Sequence, residues 1–180
     1  MFLPGGRGVN PTPRIWAVCR GLSPRCCGID VGDGLLHFSG MAPELATDPA
    51  LWPLILALLH EAFAAMEGRI DPPSSLRELT PESLTRQAEI GEIWVIGTPV
   101  ACMFLTPKPG ALYVGKLAVA ASHRGQGLAR RMLDRAEARA RDLGLPALEL
   151  QTRVELVENQ AAFLAMGFVE VGRTAHKGYD

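Results

Sequence analysis

The sequence has almost no excess of charge of either sign. Its 18 lysines and arginines face 19 aspartates and glutamates, so the formal net charge at pH 7 is -1. Even the arginine-rich stretch 124–141 is interspersed with Asp134 and Glu137. Proteins that bind nucleic acid usually present a basic excess to the phosphate backbone. We therefore expect no nucleic acid partner.

Cysteine is scarce and irregularly placed. The four cysteines, at positions 19, 26, 27 and 102, have neither the CxxC spacing nor the spacing of a zinc site. The neighbouring Cys26 and Cys27 can pair with each other only under strain. These observations predict a reducing compartment, the cytoplasm, and no bound metal.

Long apolar runs are lacking as well. The densest one, residues 51–65, is interrupted by Pro53, His60 and Glu61, whereas spanning a bilayer takes about 20 apolar residues in succession. The apolar stretch 15–19 is shorter than the roughly seven residues of a signal-peptide core. We therefore expect no membrane association.

The first 40 residues differ from the rest of the chain. They are rich in glycine and proline and show no sustained apolar period of either 2 or 3.6 residues. We predict that residues 1–40 are a disordered extension or a stretch translated ahead of a natural start at Met41. The alternative is a short first strand at residues 35–39. A single domain with one core is expected over residues 41–180.

From Met41 onward the apolar pattern predicts regular elements. Apolar spacing and capping residues predict helices over residues 52–66, 81–88, 128–143 and 159–166. Strands are predicted over residues 92–96, 100–106, 111–121, 147–152 and 168–173. Short turns between the first three strands require them to run antiparallel. The predicted fold class is therefore α/β, in the α+β sense.

The joint between the strand at 111–121 and the helix at 128–143 carries the clearest chemical signal. The turn holds Arg124, Gly125 and Gly127 just before the helix. A helix start presents unpaired amides and a partial positive charge, and glycines allow a phosphate to approach the backbone. No Gly-Lys-Ser/Thr of a Walker loop is present, and a GxGxxG dinucleotide motif would need glycine at Arg130. The turn is thus predicted to bind an anion, but neither as a Walker loop nor as a dinucleotide-binding motif.

Two segments resemble the GNAT superfamily of N-acyltransferases. Arg124-x-x-Gly127-x-Ala129 is similar to the family's Gln/Arg-x-x-Gly-x-Gly/Ala signature, and it stands between a strand and a helix as it does there. Asn159-x-x-x-Phe163-x-x-x-Gly167-Phe168 resembles the family's second conserved segment. The resemblance implies a central, mixed and mostly antiparallel sheet, flanked by helices and splayed between the family's fourth and fifth strands.

The resemblance also implies a co-substrate and an acceptor. Acetyl-CoA would bind with its pyrophosphate on the amides at residues 126–129 and its pantetheine along the strand before the turn. The implied coenzyme-binding residues are Leu117, Ala118, Val119, Arg124, Gly125, Gln126, Gly127, Leu128, Ala129 and Asn159. The acceptor would be a primary amine on a small molecule or peptide, and family habit implies a homodimer. For Asn159, a helix N-cap remains the alternative.

Some positions depart from the family pattern. Phe163 stands where the family often has a general-acid tyrosine, and a phenyl ring has no proton to donate. We take Glu92 and Tyr113 as candidate catalytic bases, and Arg69 and Asp71, in the loop that shapes the family's acceptor site, as candidate substrate contacts. A catalytically impaired acetyl-CoA-binding module is therefore the alternative function.

The strands predicted from the sequence are also one fewer than the family pattern has. GNAT domains usually insert a seventh, C-terminal strand between the fifth and the sixth, and the sequence given ends at Asp180, soon after the strand at 168–173. Without that strand, backbone groups of its neighbours would lack partners. Truncation, a strand from another subunit and a frayed tail are the expected alternatives.

Overall fold

The computed structural model describes residues 14–22, 41–70 and 74–175. Seven strands form one sheet: β1 (Arg14–Gly21), β2 (Glu44–Leu45), β3 (Glu92–Ile96), β4 (Ala101–Lys108), β5 (Ala111–Val119), β6 (Ala147–Arg153) and β7 (Val169–Ala175). Four α-helices flank it: α1 (Trp52–Phe63), α2 (Pro81–Ile90), α3 (Leu128–Asp142) and α4 (Val157–Ala165). The predicted helices and strands from α1 onward are thereby confirmed, with boundaries that differ by a few residues.

The sheet has the strand order β2-β3-β4-β5-β6-β1-β7. All neighbouring strands are antiparallel except β5 and β6, which are parallel and are connected through α3. This mixed, mostly antiparallel sheet with helices on both faces confirms the predicted fold class.

The N-terminal strand β1 corrects the prediction for residues 1–40. It lies between β6 and β7 and is antiparallel to both, with Ile15 opposite Arg153 in β6 and Arg14 opposite Ala175 in β7. The strand expected to be missing therefore has its place filled by a segment from the other end of the chain. The alternative strand at residues 35–39 and the tail at 176–180 lie outside the described residues.

Two hydrophobic layers hold the helices to the sheet. On one face, α3 buries Met132, Leu133 and Ala136 against β4, β5 and β6. On the other face, α1 buries Trp52, Ile55, Leu58 and Leu59, and α2 buries Leu84. The middle strands of the sheet are thus covered by helices on both faces.

Helix α1 and its flanking 3₁₀ turns cover residues 49–66, and this segment is long and apolar enough to cross a membrane by length and composition alone. The sequence expectation that no run reaches that length is therefore wrong for this window. In the fold, the four buried residues of α1 pack into the core with β3 and β4, and 22% of the window is buried.

Helix α2 begins where the sequence signals it. Thr80 accepts a hydrogen bond from the Ser83 amide (3.3 Å), and Ser83 Oγ accepts one from the Thr80 amide (2.9 Å). Pro81 occupies the first turn, where its missing N–H costs nothing. The capped helix places Gln87 beside the open end of the sheet.

Candidate functional site

Strands β5 and β6 part at their carboxyl ends. They pair only from Leu112–Leu148 to Val114–Leu150, although β5 continues to Val119 and β6 to Arg153. Paired strands lie about 4.8 Å apart, so a sheet that splays exposes unpaired backbone edges on both sides of the gap. An extended ligand can lie in such a gap as an added strand does.

Two cavities open at this gap. Cavity A, of about 330 Å³, has walls from α1, α4 and the middle strands and from the segment before α2: Phe63, Met66, Ile70, Ser74, Gln87, Phe104, Thr106, Tyr113, Val114, Gly115, Lys116, Leu117, Leu150, Gln151, Thr152, Arg153, Leu156, Asn159 and Phe163. Cavity B, of about 290 Å³, lies toward the turn before α3: Ala62, Phe63, Ala65, Met66, Arg69, Leu117, Ala118, Val119, Arg124, Leu156, Glu158 and Asn159. Leu117 and Asn159 line both, so the two cavities meet at the gap.

A β-bulge shapes β5 beside the gap. Cys102 pairs with Ala118 and Phe104 with Gly115, so β5 has one residue more than β4 in this interval. Lys116 lies within the bulge with φ 49°, in the left-handed region that non-glycine residues rarely adopt. The bulge shifts the alternation of side chains, so Leu117 joins the same hydrophobic layer as Val114.

The start of α3 is open to an anion. Gly127 is the N-cap with φ 77°, no side chain caps the first turn, and Gly125 has φ 76°. A Cβ placed at either glycine would meet no atom within 4 Å, so the space beside the amides is free. Uncapped amides, the helix dipole and open space together fit a diphosphate group.

Arg124 and Glu61 fix this turn to α1. Arg124 donates to the carbonyl oxygens of Ala62 (Nη2···O 3.2 Å) and Val119 (Nε···O 3.4 Å). Glu61 Oε1 accepts a hydrogen bond from the Ala121 amide (3.1 Å). The turn before α3 and the end of α1 therefore stay together as the two sides of cavity B.

Residues 52–168, more than half of the 180-residue chain, match the sequence model of the Acetyltransferase (GNAT) family. The chain belongs to the GNAT acetyltransferase family.

Solved structures carry the same fold. A GCN5-related N-acetyltransferase from Sphaerobacter thermophilus aligns with a TM-score of 0.62 and 18% identity, over 91% of this chain and 50% of that chain. A GCN5-related N-acetyltransferase from Ralstonia eutropha JMP134 aligns with a TM-score of 0.59 and 21% identity, over 76% of this chain and 97% of that chain. An acetyltransferase from Streptococcus agalactiae 2603 aligns with a TM-score of 0.62 and 14% identity, over 75% of this chain and 87% of that chain. This chain thus spans about half the length of the Sphaerobacter protein, and no curated protein matches the sequence.

The coenzyme residues implied by the GNAT resemblance fall in two places. Leu117, Ala118, Val119, Arg124 and Asn159 line cavity B. The others belong to the turn and the first residues of α3: Gly125, Gln126, Gly127, Leu128 and Ala129. In this second group Leu128 is buried and packs into the core, so its side chain faces away from a ligand.

Asn159 is not a helix N-cap. Helix α4 begins two residues earlier, at Val157, and Leu156 is its N-cap residue without a side-chain cap. Asn159 therefore lies inside the helix and lines both cavities. Phe163, one turn later, lines cavity A and packs edge-on against Phe168 with ring centroids 5.9 Å apart.

The position of Glu92 corrects its predicted catalytic role. Its Oε1 accepts a hydrogen bond from Arg139 Nε (2.6 Å) and its Oε2 one from Trp94 Nε1 (2.8 Å). Glu92 lines neither cavity. The contact with Arg139 joins β3 to α3 and the contact with Trp94 lies within β3, so both carboxylate oxygens are engaged away from the cavities.

Tyr113 lies in cavity A, but its chemistry corrects the predicted role of a base. Burial, and then the charge of Glu149, raise the pKa of Tyr113. The Lys108 ammonium lies 3.7 Å from the ring centroid and 3.4 Å from Glu149. A raised pKa keeps the phenol protonated at neutral pH, so Tyr113 can donate a hydrogen bond to a ligand but does not take up its proton.

Arg69 lies in cavity B, on the coenzyme side rather than the acceptor side where it was expected. Its Nη1 is 2.6 Å from Glu158 Oε1, so the pair bridges the end of α1 and the start of α4. The hydrogen bond with Arg69 lowers the pKa of Glu158. Asp71, the second predicted substrate contact, lies outside the described residues.

Several residues of cavity A were missed by the sequence reasoning. Gln87 donates to the Leu105 carbonyl (3.3 Å) and to Thr106 Oγ1 (3.1 Å), which holds α2 over the cavity. Arg153 is buried at the end of β6. Lys116 directly precedes Leu117, the first of the coenzyme-binding residues that the GNAT resemblance implies. This position is the only signal in the sequence that points to Lys116. Within the described residues no group of three or more potential metal ligands occurs.

Proposed function

We propose that this GNAT protein transfers an acetyl group from acetyl-CoA to a primary amine, on a small molecule or peptide, by direct attack. One observation carries the proposal: the gap between β5 and β6 joins the uncapped start of α3 to cavity A. A phosphate-bearing, extended ligand with a reactive end fits this path.

The turn before α3 and the edge of β5, at the two ends of cavity B, would bind the pyrophosphate and the pantetheine of coenzyme A respectively. The amides that follow Gly127 would hold the pyrophosphate, since no side chain caps them and the space at the Cβ position of Gly127 is open. The unpaired edge of β5 at Leu117 and Val119 would bind pantetheine as an added strand. Bound there, acetyl-CoA supplies an activated thioester to cavity A.

The protein's contribution to the reaction is then positioning and charge stabilisation. A neutral amine in cavity A forms the new C–N bond, the C–S bond breaks, and the amine's excess proton passes to water or to the departing thiolate. The backbone beside Leu117 would stabilise the developing oxyanion. A thiol with a pKa of about 8.5 leaves without a strong acid, so Phe163 does not prevent turnover.

The second candidate function is an acetyl-CoA-binding module without turnover. The observation in its favour is Phe163, which lines cavity A where the family often has the hydroxyl of a tyrosine. The other argument for it, an incomplete sheet, no longer holds because β1 occupies the gap between β6 and β7. Thiol release measured against a panel of amines separates the two functions.

The coenzyme site is tested with Gly127→Asp. The substitution places a carboxylate among the amides and strains a residue at φ 77°. Losing even one charge-assisted hydrogen bond weakens binding by about 10- to 100-fold. We expect calorimetry to show at least this loss for acetyl-CoA, and Gly127→Asn to lose less because it adds no charge.

Gly144→Asp is the matched control. Gly144 is also left-handed, with φ 67° and open space at its Cβ, but it follows the other end of α3. Its variant should bind acetyl-CoA within about threefold of the wild type, since the effect of a helix end falls off within a turn. Equal affinities for Gly127→Asp and wild type would refute the assigned phosphate site.

A further inference from the structure

The charges on the wall of cavity A are all of one sign. Among the described residues that line it, Lys116 and Arg153 are cationic and no carboxylate is present. The Arg153 guanidinium lies 3.6 Å from Glu155, so its charge has a counter-ion within the protein. The remaining positive charge in the cavity is that of Lys116.

Lys116 has two unfavourable features that the fold leaves uncompensated. Its side chain is half-buried with no ion-pair partner in the described part of the chain, and burial lowers the pKa of its amine. Its backbone adopts φ 49°, where glycine would be free of strain. Burial without a counter-ion and left-handed backbone in a lysine cost free energy, and such costs concentrate at binding sites.

The position of Lys116 relates it to the reacting atoms. It precedes Leu117, which lines both cavities, whereas Lys116 itself lines only cavity A. Lys116 is therefore on the wall of cavity A, next in sequence to the residue beside which the thioester would lie. The rest of that wall is mixed, and its apolar part is formed by Phe63, Met66, Ile70, Phe104 and Phe163 among others.

We propose that the acceptor carries a carboxylate close to its amine, as an amino acid with an apolar side chain does, and that Lys116 binds this carboxylate. The inference rests on the proposed transfer to an amine and adds the class of acceptor. The carboxylate would pair with Lys116, which has no ion-pair partner among the described residues, and the apolar part of the wall would receive the acceptor's side chain. With Lys116 beside Leu117, the bound carboxylate orients the amine toward the thioester.

The test compares L-phenylalanine with L-phenylalaninamide, which differ in the negative charge and little in size. Thiol release gives kcat and KM for each, and calorimetry on the complex with coenzyme A gives dissociation constants independently of turnover. We expect kcat/KM to favour phenylalanine by about 10- to 100-fold, the worth of one charge-assisted contact. The amine of phenylalaninamide is less basic than that of phenylalanine, so more of it is neutral and reactive at neutral pH. Without a carboxylate site, kcat/KM would therefore favour phenylalaninamide.

Three variants assign the preference to Lys116. Lys116→Met keeps the length of the side chain and should raise the KM for phenylalanine to that for the amide with little change in kcat, while Lys116→Arg should restore the preference. Lys108→Met is the control: Lys108 also carries a charge near Tyr113, but it pairs with Glu149 and does not line cavity A. It should keep the preference.

The outcomes separate the two proposals. A preference that survives in Lys116→Met, or equal kcat/KM for both compounds in the wild type, overturns the carboxylate site and leaves acyl transfer intact. An equal loss of kcat on both compounds in Lys116→Met would indicate that Lys116 accepts a proton, and would also overturn the carboxylate site. If no amine releases thiol, acyl transfer is refuted, and the two dissociation constants still decide whether cavity A prefers the carboxylate.

Discussion

The position of β1 inside the sheet can be tested by placing a proline in its middle. Ala17 lies opposite Gln151 in β6 and Gly172 in β7; the register with β7 shifts between Ala17 and Val18, whereas the pairing with β6 continues without a break from Ile15 to Gly21. Proline cannot donate a ladder hydrogen bond, and it is not tolerated in the middle of a strand that is paired as regularly as β1 is with β6. The variant Ala17→Pro therefore attacks the strand through the backbone alone.

The expected magnitude follows from one lost bond. A ladder hydrogen bond contributes about 1 kcal/mol net, and an acceptor left without a donor inside the sheet costs about 1–3 kcal/mol more. The sum is about 2–4 kcal/mol, which for a chain of this size lowers the melting temperature by about 5–15 °C. Thermal unfolding followed by circular dichroism measures this shift.

The same variant should also disturb the site. Trp16 and Ala17 pair with Thr152 and Gln151, which line cavity A. We expect a raised KM for the acceptor together with the lower melting temperature. Val157→Pro, at the exposed first position of α4 where proline is tolerated, is the control and should melt as the wild type does. If Ala17→Pro also melts within about 2 °C of the wild type, the pairing of β1 with β6 and β7 is wrong.

Three further predictions concern residues away from the gap. Glu92→Gln should keep kcat/KM within about twofold but lose about 1 kcal/mol in urea unfolding, because the ion pair with Arg139 is lost and the hydrogen bond from Trp94 loses its charged acceptor; a large loss of kcat would support a catalytic role for Glu92. Gly91→Ala should destabilise the protein by about 1–3 kcal/mol, since the added Cβ overlaps the carbonyl oxygen of Leu105, and wild-type stability would contradict this packing. Burial raises the pKa of Cys102 to about 12, so its thiol should resist alkylation until the protein unfolds. As the unfolded thiol ionises first, the free energy of unfolding should fall by about 1.4 kcal/mol per pH unit from about pH 9 towards pH 12, and Cys102→Ala should remove that slope.

Local sequence patterns were sufficient for most of the elements. Helix α3 was predictable because its apolar residues recur at helical spacing and Gly127 and Gly144 bound it, and both signals act within one or two turns. The anion-binding turn was predictable for the same reason, since the properties of a helix start depend on the residues next to it. Motif spacing then related the turn to Asn159 and Phe163.

Contacts between distant residues account for the errors. Glu92 gave no sign in the sequence that it would meet Arg139, 47 positions later in the chain. Asn159 seemed suited to capping, but packing of Leu156 into the core starts α4 two residues earlier. The role of a polar residue depends on partners that chain topology brings to it, and no local pattern encodes them.

The sequence by itself determined the elements from α1 onward, the GNAT family and the anion-binding turn, because each rests on spacing within a short stretch of chain. Only the tertiary structure placed β1 between β6 and β7, showed where the pairing of β5 with β6 ends, and left Lys116 half-buried in cavity A with no ion-pair partner among the described residues. The physical reason is the same in each case. Strand pairing and burial depend on contacts between residues far apart along the chain. These contacts stabilise the protein only once the whole sheet has formed.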